Sequence, residues 1–157
     1  MNKVTILSGP SGIGKTTFAN SLLADDNMIA RSCSANSYFM NNGDFRFDPR
    51  DLPLAHAKCF KTFIEALEAS VEHVIIDNTN TTFQEISPYV LGAQAFGYHH
   101  ELKIFTLAPD VEDFDRCVYA LAQRSVHGVR ESTIRKQLNN IQCPPSYWNW
   151  ERINVEV

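Results

Sequence analysis

The chain has 157 residues, the size of one domain with one hydrophobic core. Its 44% apolar and 20% charged residues are those of an ordinary soluble globular protein, and a formal net charge of −4 counts against a large nucleic-acid footprint. No apolar run approaches the ~20 residues needed to cross a bilayer. The opening stretch MNKVTILSGP lacks a following cleavage pattern and reads as a buried first strand. Cys33, Cys59, Cys117 and Cys143 stand far apart with no CxxC, which disfavours a metal site or disulfide framework and fits a reducing cytoplasm.

In chain order, residues 4–8 are a short apolar run entering Gly-Pro-Ser-Gly, a strand that leads into a loop. Residues 16–23 read as a helix and 28–34 as a second strand. Residues 52–69 place Leu52, Ala55, Cys59, Phe63 and Leu67 at three- and four-residue steps, an amphipathic helix with Asp51 as its expected N-cap and Pro53 in its first turn. Residues 73–77 (HVIID) are a buried strand ending in an acid. Residues 83–96 read as a helix stopped by Gly97, 102–107 as a strand, 111–123 and 132–141 as helices, and 152–157 as a last edge strand. Strands alternating with helices predict an α/β fold, a parallel sheet with helices on both faces. In such folds ligands bind at the carboxyl ends of the strands. Residues 9–16, 34–38 and 77–80 are therefore expected to converge.

The first of these segments, GPSGIGKT, has the Walker A spacing of Gly9, four residues, Gly14, Lys15 and Thr16. Its glycines let the backbone curl so that successive N–H groups face phosphate oxygens, and the helix that follows adds its positive end. The nucleotide-binding set is Gly9, Ser11, Gly12, Ile13, Gly14, Lys15, Thr16 and Thr17, for ATP or GTP. Lys15 reaches the β- and γ-phosphates, and the Thr16 hydroxyl suits Mg²⁺. Asp77, closing its strand, reads as a second Mg²⁺ group in preference to a turn acid. Asn78, Thr79 and Asn80 either bind a substrate phosphate or shape a turn. Between Arg116 and Gln137, five basic residues meet one acid, Glu131. There Arg124, His127 and Arg130 either supply positive charge to a moving phosphoryl group or form a solvated helix end. Tyr38, Phe39, Phe45, Phe47, Tyr147, Trp148 and Trp150 could stack on bases, although such residues more often pack in cores.

The segments GPSGIGKTTFA, SANSYF, GDFRFD, LPLAHAKC, VIIDNTNTTFQEISPYV and RSVHGV occur in this order. Together they resemble the small P-loop kinases related to phage polynucleotide 5′-hydroxyl kinase, in the branch of AAA-type ATPase and kinase domains with a DNTN motif. The resemblance covers about residues 3–141. It implies a three-layer P-loop kinase fold over residues 1–157 with a helical lid at about 116–141 and an aromatic tail at 143–157. It also implies ATP, Mg²⁺, a nucleic-acid acceptor hydroxyl, and a cytoplasmic site of action, including the host cytoplasm for a phage protein. By this resemblance Lys15 and Thr16 are the P-loop lysine and hydroxyl, and Asn36, Tyr38, Thr79 and Asn80 lie at the acceptor. His127 falls at a phosphate-contacting arginine of the family, leaving Arg124 or Arg130 to take that part.

Two departures stand out. Relatives carry an aspartate where this chain has Asn36, and that aspartate is the base that takes the proton of the attacking hydroxyl. An amide hydrogen-bonds a hydroxyl but does not accept its proton at neutral pH. The chain is then either a weak kinase or binding ATPase, or it carries an engineered Asp→Asn change, which the isosteric exchange in an intact motif favours. The second departure is Phe39, where phage polynucleotide kinase has an arginine that reads an acceptor phosphate; a different acceptor is implied. The function expected first is phosphate transfer to a 5′-OH of DNA or RNA, or to a base hydroxymethyl such as that of 5-hydroxymethyluracil. A nucleoside or sugar kinase, or a non-catalytic nucleotide-dependent module, is the alternative.

Overall fold

A computed structural model describes residues 1–157. In chain order it contains β1 (Lys3–Ser8), α1 (Lys15–Leu23), β2 (Ala30–Cys33), a 3-10 turn (Ala35–Phe39), β3 (Met40–Asn41) and β4 (Asp44–Phe45). There follow α2 (Leu52–Glu68), β5 (His73–Asp77), α3 (Phe83–Ala95), β6 (His99–Leu107), α4 (Phe114–Arg124), α5 (Glu131–Asn140) and β7 (Trp150–Val155). The five long strands form one parallel sheet in the order β2-β5-β1-β6-β7. No helix is long and apolar enough to cross a membrane.

The near-continuous apolar runs of the central strands follow from burial on both faces. Alternate residues Val4, Ile6, Val74, Ile76, Leu102 and Ile104 pack with Phe63 of α2 and Ile86 and Val90 of α3. Their neighbours Leu7, Ile75, Phe105 and Leu107 pack with Ala19 of α1, Val118 and Leu121 of α4 and Ile134 of α5. The helices that carry the expected lid thus belong to the second core. At the other end of that face the sheet is polar: the Thr5 hydroxyl donates to Glu101 at 2.9 Å, and Lys103 pairs with Glu151 at 2.8 Å.

Several boundaries differ from the sequence reading for local reasons. Strand β2 is shorter because the Ile29 N–H turns to the Glu72 carboxylate at 2.7 Å and the Ser34 side chain caps the 3-10 turn. Asp51 makes no cap. Asp48 instead accepts the Arg50 N–H at 2.9 Å and starts a 3-10 turn, Pro49–Asp51, that runs into α2. Strand β6 begins at His99, whose N–H pairs with the Asn2 carbonyl at 3.0 Å. Helix α4 starts only after Asp113, which accepts the Arg116 N–H at 2.9 Å. A small antiparallel hairpin, β3–β4, was not expected; Asn42 and Gly43 turn it with φ of 49° and 87°, the Asn-Gly pair of a tight hairpin turn. The tail packs on the protein itself: Trp148 and Trp150 lie against the larger core and Trp148 meets Phe83 edge-on at 5.9 Å, while Tyr147 stays exposed.

The α2–α3 layer hinges on Phe63, fully buried, with Tyr89 edge-on at 5.0 Å and Phe60 at 5.8 Å. Gly92 admits it; a Cβ there would stand 2.7 Å from the ring. Phe63→Ala is expected to cost about 3–5 kcal/mol, read as a lower urea midpoint with an unchanged slope.

Candidate nucleotide and acceptor site

The loop after β1 presents a concave row of amides. Gly14 caps α1 with no side-chain hydrogen bond. The N–H groups of Gly12, Ile13, Gly14, Lys15, Thr16 and Thr17 have no protein acceptor. Six consecutive donors at a helix N-terminus are an anion site by construction. Ile13 contributes only its backbone, since its side chain is buried in the second core. Gly12 has φ +80°, and a Cβ on it would lie 2.2 Å from the Leu121 carbonyl oxygen, so the loop rests directly on α4.

Lys15 is buried, and its ammonium donates to the Pro10 carbonyl at 2.7 Å. Burial lowers its pKa to about 8, with Asp77 pulling the other way. The Thr16 hydroxyl donates to Asp77 at 2.8 Å, which brings two hard oxygen ligands together at the strand end. No group of three or more His, Cys, Asp or Glu side chains could hold a metal alone. The pair fits Mg²⁺, an ion that keeps few protein ligands and takes the rest from phosphates and water.

The three expected segments do converge. The Gly9 N–H donates to the Thr79 carbonyl at 2.8 Å. The Ala35 N–H donates to the Asn78 amide oxygen at 2.8 Å. The Asn80 amide donates to the Leu7 carbonyl at 2.9 Å. Asn80 is therefore a buried tie between β5 and β1, with φ 43°, and its side chain does not face an acceptor as the sequence suggested. Asn78 belongs to the same framework. Its other end donates to the Cys59 sulfur at 3.4 Å, which also accepts from the Tyr89 hydroxyl at 3.4 Å. This buried chain holds the 3-10 turn against the strand of Asp77. Asn36, on that turn, is exposed, with its N–H on Ser34 Oγ at 3.2 Å. Tyr38 is half-buried beside Lys58. Phe39 points into the core, with Phe47 edge-on at 5.0 Å.

Across the site, the α4–α5 connection reaches the hairpin: the His127 ring stacks on Phe45, with centroids 3.8 Å apart and planes at 23°. Arg124 and Arg130 are exposed with no carboxylate within 4.0 Å, whereas Arg135 pairs with Asp115 at 2.8 Å. Gln137 of α5 was not foreseen; its side-chain oxygen accepts the Ser11 N–H at 3.0 Å and joins α5 to the loop. A lone glutamine on a helix carries no sequence signal for such a contact.

Two outcomes are expected. A lysine with its pKa lowered to about 8 loses its charge in the ligand-free protein above that pH, whereas phosphates bound beside it favour the protonated form. Nucleotide affinity then falls as pH rises through about 8, and binding takes up a proton; calorimetry at pH 8.5–9 in buffers of different ionisation enthalpy reads this directly. Lys15→Ala removes the dependence. For the ligand-free protein the sign is the reverse: its unfolded state holds the extra proton between about 8 and 10.5, so stability from this group rises over that window. Separately, Asn78→Ala should leave the Ala35 N–H without its acceptor and speed its hydrogen exchange by about tenfold or more, with β1 and β6 protected as before.

Residues 4–144 match the AAA domain family. The chain is 33% identical over 139 residues to human NEDD4-binding protein 2, an alignment that covers 88% of this chain and only 8% of that protein. It is 31% identical over 163 residues to guanylate kinase of Jannaschia sp. (strain CCS1), covering 90% of this chain and 72% of that enzyme. Among solved structures, a gluconokinase from Sinorhizobium meliloti 1021 superposes with a TM-score of 0.61 at 12% identity, covering 98% of this chain and 82% of that one. A chain of the Pnkp1/Rnl/Hen1 RNA repair complex does so with a TM-score of 0.66 at 19% identity, covering 89% and 44%. The parallel sheet, its P-loop and these likenesses make this chain a P-loop kinase-like nucleotide-binding domain, and it belongs to the AAA domain family.

Proposed function

We propose that the protein moves the γ-phosphate of ATP, with Mg²⁺, to a hydroxyl group on a nucleic acid. The observation that carries this reading is the tie between two half-sites: the amide row with Lys15 on one side, and the turn bearing Asn36 hung from Asn78 on the other. A nucleotide switch or motor needs only the first. A phosphotransferase needs a fixed second position from which a hydroxyl meets the phosphate in line.

ATP supplies the activated phosphoryl group, and Mg²⁺, which Thr16 and Asp77 would hold, neutralises phosphate charge. Lys15 grips the β- and γ-phosphates from its buried position. Arg124 and Arg130 are the free cations with which the lid stabilises charge on the group in transit. Asn36 orients the acceptor hydroxyl by a hydrogen bond and leaves its proton in place, so transfer by this chain is slow. Thr79 and Tyr38 border the acceptor. The aromatic surface of Phe45, Phe47 and His127 at the mouth, and the structural likeness to a chain of an RNA repair complex, support a nucleic-acid acceptor over a bare sugar. A small-molecule acceptor is the second reading. It is favoured by the guanylate kinase similarity and by the net charge of −4.

Restoring a base at position 36 is the direct test. With labelled ATP and a panel of 5′-hydroxyl oligonucleotides, hydroxymethyl-base DNA and free nucleosides, Asn36→Asp is expected to raise transfer by about 10²–10⁴. Lys15→Ala should abolish it with little change in thermal melting. Transfer to the nucleic acid should weaken steeply with salt; a flat salt profile, or a nucleoside as the best acceptor, selects the second reading. No transfer by Asn36→Asp to any acceptor would sink both.

A further inference from the structure

The peptide group between Pro10 and Ser11 is held from both edges. Its carbonyl accepts from the Lys15 ammonium at 2.7 Å, and its N–H donates to Gln137 Oε1 at 3.0 Å. No other hydrogen bond reaches it. The chain has no cis peptide bond, so this C=O and N–H point in opposite directions from one rigid plane. Lys15 and Gln137 therefore grip the same plane from opposite sides.

Their parts differ. Lys15 has three protons to give. One goes to the Pro10 carbonyl, and that bond directs the other two, which are left for the β- and γ-phosphates. The aim of the ammonium thus depends on the aim of the carbonyl. Little within the loop fixes the carbonyl. The proline ring sets φ of Pro10 and leaves its ψ open. Gly9 and Gly12 flank the peptide at φ +147° and +80°, where glycine turns freely. The amides from Gly12 to Thr17 are unpaired and add no restraint. The hydrogen bond that stops the plane from turning is the one to Gln137.

Helix α5 is a firm base for that bond. Ile134 is fully buried in the second core, and Arg135 pairs with Asp115 at 2.8 Å. Just past the helix, the Gln142 N–H donates to the Thr81 carbonyl at 3.1 Å, and its side-chain oxygen accepts the Phe83 N–H at 2.7 Å. None of these attachments involves the Gln137 side chain, so its exchange leaves the helix in place.

We propose that Gln137 is a positioning residue for Lys15: by holding the Ser11 N–H it fixes the Pro10 carbonyl, and through that carbonyl the direction of the ammonium toward the phosphates. The proposal rests on the P-loop as the nucleotide site and is independent of the acceptor.

A double-mutant cycle tests it. Gln137→Met keeps the length of the side chain and removes the acceptor. ADP is titrated without added magnesium into the unaltered protein, Gln137→Met, Lys15→Ala and the double variant. Amide NMR spectra follow the titration, since they read affinities into the millimolar range and show whether β1 and β6 stay folded. With Lys15 present, Gln137→Met is expected to weaken ADP by about five- to tenfold. In the Lys15→Ala background the same exchange should change affinity by less than about twofold, because the group it acts through is gone. An equal loss in both backgrounds overturns the proposal and makes Gln137 a support of the loop as a whole. No loss with Lys15 present overturns it as well. The two readings fail separately: additive losses in a protein that binds ADP remove the positioning role and keep the nucleotide site, whereas an unaltered protein that does not bind ADP removes both.

Discussion

A positive charge held almost out of water organises the top of the sheet. Lys15 stays where it is because its ammonium has a carbonyl at 2.7 Å and Asp77 nearby. Burial still costs the charge enough to bring its pKa near 8. A bound phosphate relieves that cost. The same constraint explains the loop. Its backbone cannot both curl around an anion and satisfy its own N–H groups, so six of them are left for the ligand. Support must then come from outside the loop, and it comes from α4 under Gly12 and from Gln137 of α5 at Ser11. The α4–α5 segment and the P-loop are thus in direct contact.

Most of the framework was legible in the sequence because it depends on short-range patterns. Apolar runs of four to six residues identified β1 and β5, the three-and-four spacing identified α2, and the Walker spacing identified a loop whose glycines have few other uses. What escaped depended on contacts between distant segments. Nothing local to Asn78 says that its two ends reach Ala35 and Cys59, and nothing local to Gln137 says that it meets Ser11. Asn80 illustrates the opposite error: polar, short and next to a motif, it reads as ligand-facing, yet its amide completes the end of β1. The hairpin at Asn42-Gly43 was a missed local signal, since an Asn-Gly pair between Met40 and Phe45 has the chemistry of a tight turn.

Phe39 and Asn78 acquire a common meaning once the core is seen. The 3-10 turn has an inward and an outward side. Its inward side is fixed twice, by Phe39 among aromatic rings and by the Ala35 N–H on Asn78. Its outward side presents Asn36 and Ser37, both exposed, to whatever approaches. A turn held this firmly cannot move its side chains far to meet a substrate.

The two halves of the site differ in kind. The P-loop half combines a row of backbone amides with the side chains of Lys15, Thr16 and Asp77. The wall facing it is built from side chains on a small hairpin and a single 3-10 turn outside the main sheet. A fold divided in this way keeps its grip on phosphate while its acceptor varies. This accounts for a chain that shares its architecture with a gluconokinase and with a component of an RNA repair complex at 12% and 19% identity.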